Sequence, residues 1–322
     1  MSRVARLLLA SLVVVTTSVP AVAQSAAQNE VSERFSKTAH LDQNGTFDLT
    51  NVIGDIVITG GAGRDVTIEA IKRVQRPNPR VARTLLQMID IQVTEQANRV
   101  EVRTVVPRPR NFPGAVDFTV TVPEDASVIV KTITGSIRAS NVKGELRADV
   151  VAGSVSASGV RKLASLKCVT GDVEITDASA DDPVTASTVS GNVLVRGLRA
   201  RAVQLTSVSG NIHIEDAQVE RLMVKTVQGN LEYAGDLART GRYEFNSHSG
   251  DIRLVLSGNT GFEVLANTFS GMVRSDFTFN RGRAGAEGAG AQGPRTLRGA
   301  FGDASAMVAL RAFSGNISLA RR

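Results

Sequence analysis

A phrase centred on glycine returns nine times between Thr132 and Leu319, and it limits the possible folds more than any other feature of the chain. It reads TITGSIRAS, VVAGSVSAS, CVTGDVEIT, TVSGNVLVR, SVSGNIHIE, TVQGNLEYA, SHSGDIRLV, TFSGMVRSD and AFSGNISLA. The central residues are Gly135, Gly153, Gly171, Gly191, Gly210, Gly229, Gly250, Gly271 and Gly315, separated by 18, 18, 20, 19, 19, 21, 21 and then 44 residues. A repeat of this length marks stacked units, none of which can bury its apolar face without its neighbours.

Columns emerge when each residue is counted from its glycine. Two places after it stand Ile137, Val155, Val173, Val193, Ile212, Leu231, Ile252, Val273 and Ile317. Four places after it, several units carry Ile175, Val195, Ile214, Tyr233, Leu254 and Leu319. This alternation places them on one face of a strand. Six places after come Asn141, Gly159, Asp177, Gly197, Asp216 and Gly235, the residue types that tolerate a positive φ. Each unit therefore reads as a strand, a tight corner, a second short strand and a corner at the phrase glycine. With strands paired in parallel about 4.8 Å apart, the stack is an all-β parallel solenoid of 18–21 residues per coil, very roughly 40 Å long.

The remaining chain frames this stack. Residues 1–23 have the pattern of a secretory signal: Arg3 and Arg6, the apolar run Leu7 to Val15, and Ala21-Val22-Ala23 before a cut at Gln24. That run is shorter than the roughly 20 residues of a membrane span, and no later segment is apolar enough to cross a bilayer. Residues 24–35 read as a polar leader. Residues 36–125 read as a small capping β module with one helix over 79–89, started by Asn78-Pro79 with Val81, Leu85, Leu86 and Ile89 on one face. The solenoid occupies 126–322, interrupted by a flexible Gly/Ala-rich loop at 281–300. Cys168 is the single cysteine, so no internal disulfide forms. Its column also holds Thr132, Val150, Thr188, Ser207, Thr226, Ser247 and Thr268, which marks it as a small packing rung.

The phrase NVIGDIVITG, the strand FTVTVP closed by Pro123, and the recurring Ser-Gly-Asn/Asp with alternating apolar residues resemble the bacterial putative-adhesin β-strand repeat family, a domain of unknown function. The resemblance covers roughly residues 40–320. It implies a right-handed single-stranded β-helix, exported or attached to the envelope, with no catalytic residues to carry over.

Searches for chemistry return little. The chain lacks G-x-S-x-G, the P-loop pattern and H-E-x-x-H. His40, His213 and His248 stand at unrelated offsets, so no metal site, cofactor or nucleic-acid partner is expected. A literal G-x-G-x-x-G at Gly288, Gly290 and Gly293 runs into Pro294 instead of a helix. Two groups remain as candidate binding residues. One is an outward polar strip with Glu174, His213, Glu232 and Arg253; the other is the basic tail with Arg281, Arg283, Arg295 and Arg298. The expected function is thus non-catalytic: an exported cell-envelope scaffold, in the periplasm or at the surface, contacting an envelope polymer or protein. Two alternatives stand beside it. One is a polysaccharide lyase or hydrolase of the parallel β-helix type using Glu174, His213 and Glu232. The other is a self-assembling structural protein joined end to end, because the chain stops just after a coil and leaves a sheet edge without an obvious cap.

Overall fold

The computed structural model describes residues 30–107, 112–280 and 294–322; the signal-like segment, and with it part of the leader, lies outside them. The described chain is nearly all strand with one helix, gathered into two long, mostly parallel sheets of 13 and 14 strands. Among the described residues no helix is long and apolar enough to cross a membrane. The strand before each phrase glycine belongs to the 14-stranded sheet and the strand after it to the 13-stranded sheet. Lys162–Thr170 and Val173–Thr176, on either side of Gly171, are one example.

Register follows the columns. Ile137, Val155, Val173, Val193, Ile212, Leu231 and Ile252 lie beside one another in parallel, all buried. From the other sheet Val130, Ala148, Leu166, Ala186, Leu205, Val224 and Phe245 form the facing ladder. These two ladders run through the core, and each larger side chain in them contributes about 1.5–3 kcal/mol by leaving water. The arrangement is that of a β-solenoid.

The glycine column is required twice over. Gly210 has φ +151°, and a Cβ there would lie 1.9 Å from the carbonyl oxygen of Gly191 on the next strand. No side chain fits without separating the strands. At the second corner Asn141, Gly159, Asp177, Gly197 and Asp216 all adopt φ between 49° and 63°, the left-handed region that Asn, Asp and Gly enter most readily.

Thr46–Ile53 and Ile56–Gly61 pair with the first repeat strands, Ser127–Thr134 and Ile137–Ser140, so both sheets run on into the early copy of the phrase. Beyond them Gly114–Pro123, Asp65–Gln75 and Glu30–His40 extend the 13-stranded sheet. The last of these strands begins inside the stretch read as a leader. Its only partly covered apolar residues, Val31 and Phe35, are too sparse to announce a strand. The helix spans Pro79–Gln87, with the Asn78 side chain accepting from the Arg80 N–H at 2.9 Å. It buries Ala82 and Leu86, while Val81 is exposed, so the inward face is rotated from the one expected. Ile89 is buried just past the helix end.

At the other end the order of rungs departs from the order of the sequence. Ala306–Ser314 pairs between Arg242–Ser249 and Phe262–Ser270, and Ile317–Arg321 pairs between Ile252–Leu256 and Val273–Ser275. The last phrase thus takes the eighth place and TFSGMVRSD the ninth. Thr296–Phe301, from the stretch expected to be a loop, returns antiparallel on Phe262–Ser270 and lies along that edge of the 14-stranded sheet. Phe301 and Phe277 pack on Phe262 at ring separations of 5.6 and 5.3 Å. The expected uncovered edge at the chain's end is therefore not found there; the final strands are interior.

Candidate functional site

Four columns of side chains line the seam where the two sheets meet, and each does something different. The first stands one place after the glycine. Asp172 Oδ1 accepts the Asn192 main-chain N–H at 2.7 Å, and Asn192 Oδ1 accepts that of Asn211 at 3.0 Å. The series continues through Asn230 and Asp251 to Asn316, at 2.9, 2.9 and 2.7 Å. These exposed side chains are committed to the backbone of the next strand.

Three places after the glycine lies the polar strip. His213 sits between Glu215 and Glu232, with Nε2 to Oε1 at 3.1 Å and Nδ1 to Oε2 at 3.3 Å. Arg196 Nε donates to Glu215 at 3.0 Å, and Arg253 Nε is 3.9 Å from Glu232. The hydrogen bond from His213, then that from Arg196, holds the Glu215 carboxyl below the ordinary carboxylate range. So the fold unites His213, Glu232 and Arg253, and adds Glu215 and Arg196, which stand five places after their glycines on the same outward face. It leaves out Glu174, which is flanked by Ser156 and Leu194; two strand steps, roughly 10 Å, separate it from His213. Arg295 and Arg298 are exposed at the far end of the stack, while Arg281, Arg283 and the G-x-G-x-x-G lie outside the described residues. The histidine between two carboxylates lies here on an open face. A groove of about 1010 Å³ is lined by residues such as Asp125, Arg147, Lys162 and Asp182 and by none of the strip.

Three places before the glycine, several members of the column read as packing rungs also donate hydrogen bonds. Thr188 Oγ1 donates to the Gly171 carbonyl at 3.0 Å, Ser207 Oγ to Gly191 at 3.2 Å and Thr268 Oγ1 to Gly315 at 2.8 Å. Cys168 Sγ does the same toward Gly153 at 3.0 Å. Burial pushes its thiol pKa up, against a smaller opposing effect of the Thr188 hydroxyl, so little of the nucleophilic thiolate forms.

The fourth column, two places before the glycine, is apolar and faces outward. Ile133, Val151, Val169, Val189, Val208 and Val227 are 42–50% exposed in strand order, followed by His248, Phe313 at 51% and Phe269 at 66%. The His248 and Phe313 rings stack at 4.8 Å, and those of Phe313 and Phe269 at 4.9 Å. The stripe runs beside a border of Ser and Thr, with Ala152 and Gln228, on one side, and of Lys131, Asp149, Lys167, Lys225 and Arg311 among small polar residues on the other. Sequence reasoning did not single it out, although the column is visible in the repeated phrase.

Residues 46–320 match the family model described as Toastrack DUF4097. The chain belongs to that family. Among curated proteins none matches it. Solved structures similar to this Toastrack chain include a putative adhesin of Bacteroides fragilis, 13% identical with a TM-score of 0.40, covering 89% of this chain and 97% of the other. A putative lipid binding protein of Parabacteroides distasonis is 11% identical with a TM-score of 0.34, covering 92% and 98%. A putative cell adhesion protein of Clostridium sporogenes is 11% identical with a TM-score of 0.23, covering 90% and 100%. These superpositions are loose, and membership rests on the sequence match.

Proposed function

We propose that the chain is an exported, non-catalytic, right-handed β-solenoid that acts as a rigid contact surface in the cell envelope, with residues 36–125 capping one end. The observation that carries this reading is the apolar stripe. Exposed apolar patches beyond a few hundred Å² mark interaction sites, and this one continues across nine stacked strands. Of the other seam columns, the Asn/Asp series is committed to the backbone of the next strand, and His213, Glu232 and Arg253 to neighbouring charges. The reading is tested by cosedimentation of residues 24–322 with isolated envelope material. Binding lost in Val208→Glu and kept in Glu232→Ala is expected; the reverse pattern would move the contact to the polar strip.

A second reading, polysaccharide cleavage, draws on His213 between Glu215 and Glu232. Incubation with acidic polysaccharides followed by product chromatography decides it. Chain shortening that disappears in Glu232→Ala would establish an enzyme and overturn the non-catalytic reading.

A further inference from the structure

Resting on the reading of the stripe as a contact surface, we infer that its occupant is a second copy of this chain, packed face to face with the two stacks antiparallel. Three observations lead there. The first is shape. The stripe is one outward column of a long parallel sheet, β-branched over Ile133 to Val227 and with rings only at the His248, Phe313 and Phe269 end, which suits another sheet face better than a cleft or an inserted helix. Eight strand spacings by the five-residue width from the Ser/Thr border outward give a patch of roughly 650 Å². That approaches the roughly 800 Å² per partner of a standard stable interface.

The second observation is the gradient of side-chain size, from Ile133 and Val151 at one end to Phe313 and Phe269 at the other. Parallel stacks would set phenylalanine on phenylalanine at one end and valine on valine at the other, splaying the sheets. Antiparallel stacks match large with small throughout and keep the gap even, as close packing requires.

Charge supplies the third. A two-fold axis along the strand direction brings the Lys-bearing border of one copy onto the same border of the other. With the axis at Val208, Asp149, the acidic residue in that border, meets Arg311 of the second copy. With the axis one strand away at Val189 it meets Lys225. In neither register do like charges in that border oppose one another, and like charges face to face are what such interfaces avoid.

The test is sedimentation velocity of residues 24–322 over a concentration series, beside a Val189→Glu/Val208→Glu/Val227→Glu variant. The wild-type chain is expected to reach twice the chain mass. The variant, whose changes sit at exposed positions, is expected to keep its far-UV spectrum and associate at least about a hundredfold more weakly, since the complex would bury unpaired carboxylates. A wild-type chain that stays single at every concentration, or a variant that still pairs, overturns the proposal. Should the triple variant misfold, Asp149→Arg gives a second route: weakened pairing, restored by Arg311→Asp or by Lys225→Asp, whichever names the register. Rescue by neither overturns the antiparallel order. Vesicles of phosphatidylglycerol and phosphatidylcholine separate this proposal from the reading beneath it. A single-chain wild type that binds them while the triple variant does not keeps the contact surface and overturns the second copy as its occupant. A triple variant indistinguishable from wild type in self-association, vesicle binding and envelope binding removes both.

Discussion

The donating column before each glycine makes a prediction that runs against ordinary core substitution. Val150 and Thr188 occupy the same place in two interior rungs, both nearly inaccessible to solvent. Thr188 donates to the Gly171 carbonyl at 3.0 Å, whereas Val150 offers the equivalent Gly135 carbonyl nothing. In a purely apolar core, Val150→Thr would bury an unpaired hydroxyl at a cost of about 1–3 kcal/mol, and Thr188→Val would be neutral or stabilising. Here the balance reverses. The new hydroxyl at 150 gains a bond of about 1 kcal/mol and loses a methyl of about 0.8 kcal/mol, so the net change is near zero. At 188 the methyl gain is similar, but the bond is lost and the Gly171 carbonyl stands without that donor, a penalty of about 1–3 kcal/mol. Thr188→Val should therefore be the worse of the two by about 1–2 kcal/mol. Urea unfolding of residues 24–322 followed by far-UV circular dichroism resolves that difference. If Val150→Thr proves the more damaging exchange, the column is packing alone and the hydrogen-bond account fails.

Gly210→Ala should destabilise by more than about 4 kcal/mol, since it combines a disfavoured φ with a Cβ inside the Gly191 carbonyl. Gly63→Ala, with its nearest new contact at 4.0 Å, should stay within about 0.5 kcal/mol in the same urea assay. Cys168 should react with Ellman's reagent at pH 8 only as fast as the chain opens, because its side chain is buried; prompt reaction in the native state would contradict its placement. Glu215, whose carboxyl is held below its ordinary value, contributes stability above its unfolded-state pKa and loses that contribution as pH falls through the lower folded value. Glu215→Gln should therefore reduce the drop in urea midpoint between pH 6 and pH 3, more visibly at low salt because the group is exposed.

Much of the architecture is legible in the sequence because a stacked fold repeats its local rules. The phrase glycines, the inward column two places after them and the corner residues Asn141, Asp177 and Asp216 all stand out as columns when the nine phrases are aligned on their glycines. The stripe is hidden for a geometric reason. The inward residues stand at −3 and +2 from the glycine, so the parity of alternation changes where the chain turns from one sheet to the other. Val208 and Ile212 are both an even number of places from Gly210, yet Ile212 is buried and Val208 is exposed. Carrying one parity through the corner hides the outer column. Glu174 falls in with His213 in the sequence because both stand three places after their glycines, but Leu194 holds the rung between them and keeps them two strand steps apart. The insertion of Ile317–Arg321 between Ile252–Leu256 and Val273–Ser275 depends on nonlocal pairing that no local pattern encodes.

A β-branched column at an exposed strand position has a simpler explanation than recognition, since valine favours extended backbone whether or not anything covers it. That account works for Val151 through Val227 and fails at the end of the stack. His248, Phe313 and Phe269 hold the same column, their rings stacked face to face at 4.8 and 4.9 Å, and Phe269 remains 66% exposed. Strand propensity alone would be served by threonine, which the chain uses freely in the neighbouring columns. Large apolar rings left in water cost solvation free energy that threonine would avoid. The neighbouring Asn/Asp column and most of the Thr/Ser column bond the main chain, which apolar side chains in the stripe cannot do. The stacked rings at this end therefore support the stripe, ahead of the histidine between two carboxylates, as the contact surface proposed above.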